Sequence, residues 1–271
     1  MSTSEGRRLF AVDCDGTLFD GDGYPSQRTC KVVQRLVDAG HSIVAVTGRS
    51  RLTASDRLAS VRGINHVVCS NGAYAWDIHN DRLVWETGIP QAVVADIVLR
   101  LRRAAADVSF GWETRGGIGF DDAFIKLDDG SGELESGGQS GDPWSQDLYK
   151  LKVRRPDVVR LQLQEEITDL LGSDLCEITT SGAPFVEITA PGSHKGSGLE
   201  KTAAAFGFEM KETIAFGDNH NDLPMFSRAG HAVAMGNAID VVKAKADAVT
   251  LPNTEHGVAN YIEMLLDSGT L

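Results

Sequence analysis

The sequence predicts an α/β protein: a doubly wound parallel-sheet core with an α+β domain inserted into it. Three observations lead there. Short apolar runs alternate with segments of helical period near both ends of the chain, acidic clusters stand where two of those runs stop, and the middle of the chain changes to shorter strands.

The first unit begins with "LFAV" and its following turn residues. Next comes "RTCKVVQRLVDAG", apolar at helical spacing and ending on glycine, and then "SIVAVTG". Strand, helix and strand in that order form a βαβ unit and hence a parallel pair. "RLTASDRLASVRG" continues as a helix and "HVVCSNG" as a third strand, after which "YAWDI", "HND" and "LVWET" read as a hairpin.

From Gly88 to Glu187 the texture differs. A helix "QAVVADIVLRLRRAAA" precedes short strands around "VSFGWET" and "LYKLKV"; a second helix "DVVRLQLQEEITDLLG" is followed by "CEITTSG" and "PFVEIT". Short strands of antiparallel pairing with two helices make a separate α+β module. Within it the acidic, Gly- and Ser-rich stretch 128–142 reads as a solvated, flexible loop. The first pattern then returns in "GSGLEKTAAAFG", "TIAFGDNHNDLPMFSRAG", "HAVAMGNAIDVVKAKA" and "AVTLPN". The core is therefore expected over 1–87 and 188–271 and the insert over 88–187, because one interrupted domain explains the return better than two tandem ones. No internal repeat is present.

Composition excludes several function classes. With 42% hydrophobic and 24% charged residues over 271 positions the chain reads as globular, and no apolar stretch is long enough to span a bilayer. The start "MSTSEGRRLFAVDCDG" lacks the apolar core of a signal peptide, so a cytoplasmic location is expected. Cys14, Cys30, Cys69 and Cys176 have no CxxC spacing, which favours reduced thiols. A net charge of -12 repels nucleic acid and anionic membranes, so neither is an expected partner. If the substrate is itself an anion, positive potential must be built locally from a metal, a lysine or helix N-termini. The sequence carries no signal for oligomeric state.

The chemistry gathers at strand ends. In an open parallel sheet ligands bind beyond the carboxyl ends of the strands, and residues two apart on an extended segment point the same way, so Asp13 and Asp15 of "DCDGT" are expected to converge. Two carboxylates held that close require a cation or a chemical use. A second acidic cluster, Asp218 and Asp222 of "GDNHND", also follows an apolar strand. Carboxylates from two strand ends suit Mg²⁺, which accepts few protein ligands and keeps substrate phosphate in its shell. Thr47 and Gly48 of "VTGRS" offer a hydroxyl and close backbone approach, and Lys195 of "GSHKGSG" stands just ahead of a helix start, where amides and dipole favour anions. His220, Arg49 and Asp77 read as ordinary solvated or structural residues.

In this order the four elements resemble the haloacid dehalogenase superfamily, with "DCDGTL", "TGR", Lys195 and "GDNHND" as its four motifs. The insert, "CSNGA" and "FVEITAPGSHKGSGLEK" look like the Cof-like phosphatases with a C2-type (IIB) cap. The resemblance covers nearly the whole chain and is weakest over 88–180. It implies a Rossmann-like core and a specificity-setting cap that closes over a small phosphorylated metabolite, sugar phosphates first. It also implies that Asp13 attacks phosphorus to give an aspartyl-phosphate and that Asp15 serves as general acid and base. Mg²⁺ would sit on the Asp13 carboxylate, the Asp15 main-chain carbonyl and Asp218, with Asp222 behind them. Lys195 would neutralise phosphoryl charge, and Thr47 and Asn221 would position its oxygens.

Three other functions fit parts of the pattern. A phosphomutase of the same superfamily would pass the phosphoryl group to a second sugar hydroxyl. A receiver-like phosphoacceptor would also phosphorylate an aspartate near Mg²⁺, but on a later strand of a much shorter chain. A catalytically silent metal-binding protein would show no turnover.

Overall fold

A parallel strand covered on both faces reads as a continuous apolar run, and "LFAV" does so as β1 (Leu9–Val12), every residue of it buried. The computed structural model describes residues 6–127, 143–181, 183–269 and 271. The loop expected at 128–142 lies outside the described residues. After β1 come α1 (Gln27–Asp38), β2 (Ser42–Val46), α2 (Arg51–Leu58), β3 (His66–Cys69), β4 (Tyr74–Asp77) and β5 (Arg82–Glu86). The next set is α3 (Gln91–Ala104), β6 (Ser109–Thr114), β7 (Gly117–Phe120), α4 (Asp122–Lys126), β8 (Lys150–Arg154), α5 (Arg160–Leu171), β9 (Glu177–Thr179) and β10 (Val186–Thr189). The chain closes with α6 (Lys195–Phe206), β11 (Thr213–Gly217), α7 (Leu223–Phe226), β12 (His231–Ala234), α8 (Asp240–Lys243), β13 (Ala248–Val249) and α9 (Gly257–Ser268).

Two compact units result: one from the chain up to Trp85 together with Lys195–Leu271, the other from Glu86–His194. The second boundary falls later than the expected 187/188, because β10 pairs with β8 as far as Ile188 and with β9 as far as Thr189 and so belongs wholly to the insert.

The core unit holds an eight-stranded sheet in the order β13-β12-β11-β1-β2-β3-β4-β5. Strands β13 to β3 of that order run parallel, and β4 turns back antiparallel on β3. Helix α1 shows why its sequence folds as it does. Ser26 caps it by accepting from the Thr29 N–H at 3.1 Å, and Thr29, Val32, Val33 and Leu36 form one buried stripe. Helix α9, for which the sequence reading gave no expectation, is tied to α1 by Arg28–Glu263 at 2.5 Å and Arg35–Asp267 at 3.0 Å.

The insert is a five-stranded sheet, β7-β6-β8-β10-β9, antiparallel throughout its pairings. Alternation along its strands sorts the side chains. Phe110, Trp112, Leu151, Val153, Val186 and Ile188 share a core with Val94, Ile97 and Leu101 of α3 and Leu163 and Ile167 of α5. Each such fully buried side chain contributes roughly 1.5–3 kcal/mol relative to exposure. The intervening residues Glu113, Lys150, Lys152, Arg154 and Glu187 are buried too, and Lys150 Nζ meets Glu187 Oε1 at 2.5 Å.

All four cysteines are free thiols. Among the described residues no helix is long and apolar enough to cross a membrane.

Candidate active site

The chain leaves β1 in one direction through β2 and β3 and returns on its other side through β11 and β12, so the sheet order reverses at β1. Loops after neighbouring strands diverge at such a point and leave a crevice beyond their carboxyl ends. Asp13 begins the loop after β1, its N–H donating to the Phe216 carbonyl of β11 at 3.1 Å. A tight turn follows, in which Leu18 N–H donates to Asp13 O and Phe19 N–H to Cys14 O. Gly16 makes the turn possible twice over. Its φ is +77°, and a Cβ there would lie 2.6 Å from Asp218 Oδ2.

Three carboxylates and one ammonium meet in this crevice. Lys195 Nζ donates to Asp13 Oδ1 at 2.6 Å and to Asp222 Oδ1 at 2.7 Å. The other oxygen of Asp222 accepts from the N–H groups of Asp218 and Asn219 at 2.9 and 3.0 Å. Both Asp222 oxygens are thus engaged in fixing the loop after β11 and the lysine. Thr17 Oγ1 donates to Asp218 Oδ1 at 3.0 Å. Lys195 is the first residue of α6, not a residue ahead of it, and is 1% exposed. Gly196 lets the helix start come that close, since a Cβ there would lie 2.1 Å from the Pro224 carbonyl.

The electrostatics are unbalanced. Burial raises the Asp13 carboxyl well above its ordinary value; Lys195 opposes this, while Asp222, Asp218 and Asp15 add to it. Asp218 is pushed up to about 6, first by burial and then by Asp222. Burial works against the charge of Lys195, but Asp13 and Asp222 outweigh it and raise the ammonium above its ordinary range. Burial is the larger cause of these shifts, and the charge count adds to it, since three carboxylates share one ammonium. One oxygen each of Asp13, Asp218 and Asp222 lies within 4.8 Å of the others. An all-oxygen cluster with unmet negative charge fits a hard divalent cation such as Mg²⁺. Cys14, between the two aspartates, is no nucleophile: burial, then Asp13, push its thiol well up and keep it protonated.

The two aspartates of "DCDGT" have different partners: Lys195 holds Asp13 and Arg49 holds Asp15, while Asp15 still acts electrostatically on Asp13. Asp15 itself is extended, with φ -78° and ψ 122°, the left-handed step comes one residue later at Gly16, and the Asp15 carboxylate is taken by Arg49. Arg49 Nε and Nη2 donate to the two Asp15 carboxylate oxygens, both at 2.6 Å. The pair is partly exposed, at 47% for the Asp15 side chain and 25% for that of Arg49. A fork of this kind fixes the carboxylate plane as well as its place.

Beside this pair the end of β2 supplies Thr47, fully buried, whose hydroxyl accepts from the Arg49 N–H at 3.1 Å. Gly48 follows it, partly buried. Asn221, 7% exposed in the turn after β11, donates from Nδ2 to Asn71 Oδ1 at 3.1 Å.

The pattern of the haloacid dehalogenase-like hydrolases matches residues 10–262. The chain belongs to that family. Among curated relatives, a Bacillus subtilis 5-amino-6-(5-phospho-D-ribitylamino)uracil phosphatase is 30% identical, covering 94% of this chain and 96% of its own. The pyridoxal phosphate phosphatase of Escherichia coli is 26% identical over 94% of this chain and 97% of its own. The fold is shared with a solved Bacteroides thetaiotaomicron protein of the superfamily, with TM-score 0.80 and 24% identity, covering 100% of this chain and 98% of that one.

In this hydrolase the sequence-derived residues fall into two groups. Asp13, Lys195, Asp218 and Asp222 form one bonded cluster, while Asp15 is engaged by Arg49 at its edge. His220 is exposed. Asp77 stands at the end of β4, where burial opposes its charge but bonds from Asn80 and Arg82 hold the carboxyl down to about 2, a structural arrangement. Arg49, expected to be an ordinary residue, joins the site through Asp15, and Thr17 and Asn71 join it with no expectation attached to them. A residue next to "TG" at a strand end gave a signal for Arg49; the long-range contacts of the other two gave none.

Proposed function

We propose that this hydrolase is a Mg²⁺-dependent phosphatase of small phosphorylated metabolites that works through an aspartyl-phosphate on Asp13. The observation that carries the reading is the Lys195–Asp13 contact at the end of the central strand, where three carboxylates share one ammonium. Asp13 would attack phosphorus in line, dividing one difficult hydrolysis into two easier displacements. Its carboxylate is aimed and its charge balanced by Lys195, which is itself held by Asp222.

Asp13, Asp218 and the Asp15 main-chain carbonyl would hold Mg²⁺, with Asp222 behind them. When bound, the ion neutralises charge on the transferring phosphoryl group. Lys195 adds the second positive charge, and the Thr47 hydroxyl, the Gly48 backbone and the Asn221 carboxamide would orient the phosphoryl oxygens. Asp15 would protonate the leaving oxygen and then take a proton from the attacking water. Arg49 holds both Asp15 oxygens, so Asp15 must release at least one of them to reach the leaving group.

Substrate class follows from the relatives. Their named substrates, a phosphoribitylamino-pyrimidine and pyridoxal phosphate, are small polar molecules with a terminal phosphomonoester. Sugar phosphates remain the first choice for this chain, with those two compounds beside them. The test is phosphate release from such a panel with Mg²⁺ and with EDTA. Metal-dependent release from at least one compound is expected. An isomeric product without free phosphate would favour the mutase, and no turnover of any compound would favour a silent metal binder.

A further inference from the structure

Asn71 is buried beside the site, and the reaction proposed above gives it no task. It follows β3 in a turn where Ser70, Asn71 and Gly72 all have positive φ, at 51°, 56° and 98°. Two consecutive residues other than glycine in the left-handed region store strain, although asparagine tolerates that region better than most. The turn is pinned by its backbone: Ser70 N–H donates to Arg49 O at 2.9 Å and Asn71 N–H to Thr47 O at 3.0 Å. Glycine at position 71 would satisfy that backbone with less strain, so the turn alone does not call for a carboxamide. The side chain instead reaches a residue 150 positions away: Asn71 Oδ1 accepts from Asn221 Nδ2 at 3.1 Å, both groups being buried.

We propose that Asn71 is a positioning residue that sets the plane of the Asn221 carboxamide toward a phosphoryl oxygen. The inference rests on the reading of Asn221 as a phosphate contact. The last torsion of an asparagine is broad when nothing restrains it. A carboxamide carries its two N–H donors and its carbonyl in one plane, so fixing one N–H fixes the direction of the rest. Asn71 supplies that fix, and its own N–H ties it to the main-chain carbonyl of Thr47, the residue whose hydroxyl is the other side-chain group assigned to the phosphoryl oxygens. Two groups that must address one tetrahedral phosphoryl group are thereby set in register before substrate arrives, which favours the transition state over a loosely held ground state.

The experiment is a double-mutant cycle with Asn71→Gly, Asn221→Ala and the two combined. It reads kcat and KM with p-nitrophenyl phosphate and the best metabolite substrate, alongside each thermal midpoint. Asn71→Gly accommodates the backbone turn and removes the side chain that carries the carboxamide. It is expected to lower kcat/KM by about tenfold or more, chiefly through kcat, and to cost nothing further in the Asn221→Ala background. A merely structural Asn71 would move the midpoint and leave kcat/KM within about twofold, which overturns the inference, as would equal losses in both backgrounds. If Asn221→Ala itself has no effect, the phosphate reading of Asn221 falls and the inference with it. If Asn221→Ala is damaging and Asn71→Gly is not, only the inference falls. Should Asn71→Gly not fold, Asn71→Ser carries the same test, since Ser70 already occupies that backbone region and a serine hydroxyl is too short to replace the carboxamide.

Discussion

The Lys195 ammonium lies 2.6 Å from Asp13 Oδ1, with 1% and 7% of the two side chains exposed. An ion pair this buried does little for stability by itself, yet breaking it from one side strands the remaining charge, at a cost of about 3–5 kcal/mol. Lys195 therefore has two consequences that separate by measurement. Lys195→Met should lower kcat/KM by several orders of magnitude and should also lower the denaturation midpoint, because Asp13 and Asp222 lose their shared partner. A loss of kcat/KM below about tenfold, worth about 1.4 kcal/mol, would remove the lysine from the phosphoryl-transfer machinery.

Asp218 gives a pH dependence of unusual sign. Its folded-state value of about 6 stands above the ordinary 3.8, so the folded state binds this proton more tightly than the unfolded chain. The stability that proton contributes is fully present below pH 4 and is lost as the pH rises through about 6. In EDTA, Asp218→Asn should therefore melt higher than wild type at pH 7.5, with the gap closing as the pH falls through 6 and gone below 4. Mg²⁺ should reverse the order, stabilising wild type and not the variant. Parallel melting curves for the two proteins across this range, with or without Mg²⁺, would contradict the cation site.

Much of this site was legible because strand ends in a parallel sheet are where side chains meet. Asp13, Thr47 and Asp218 each follow a buried apolar run, so position in the sequence already implied position in space. The orientation of Asp15 was not legible. It depends on the turn through Gly16 and on a guanidinium 34 residues away, neither of which an alternating pattern contains. Asn71 escaped for the same reason: its meaning lies in a hydrogen bond spanning 150 residues. In the fold, the expected boundary cut through "VEIT", whose extent as one strand is set by its partners β8 and β9 and not by the run itself.

The insert carries its own buried pair, Lys150 with Glu187, at 1% and 2% side-chain exposure. Lys150→Met should destabilise the protein by about 3–5 kcal/mol, because Glu187 then stands buried without that ammonium. Adding Glu187→Leu should recover a substantial part of the loss. Chemical denaturation of the two variants checks this, and a double variant no more stable than the single one would show that Glu187 is retained for its other partners.

The central claim is that Asp13 is the nucleophile, and the most direct measurement is phosphate release by purified Asp13→Asn beside wild type at saturating Mg²⁺. The substitution keeps the size of the side chain and an oxygen for Lys195 while removing the attacking carboxylate. The account predicts a folded protein, with wild-type circular dichroism, whose release falls to the level of the buffer. Turnover well above that level in a folded sample, free of wild-type enzyme, would contradict the assignment and with it the aspartyl-phosphate route.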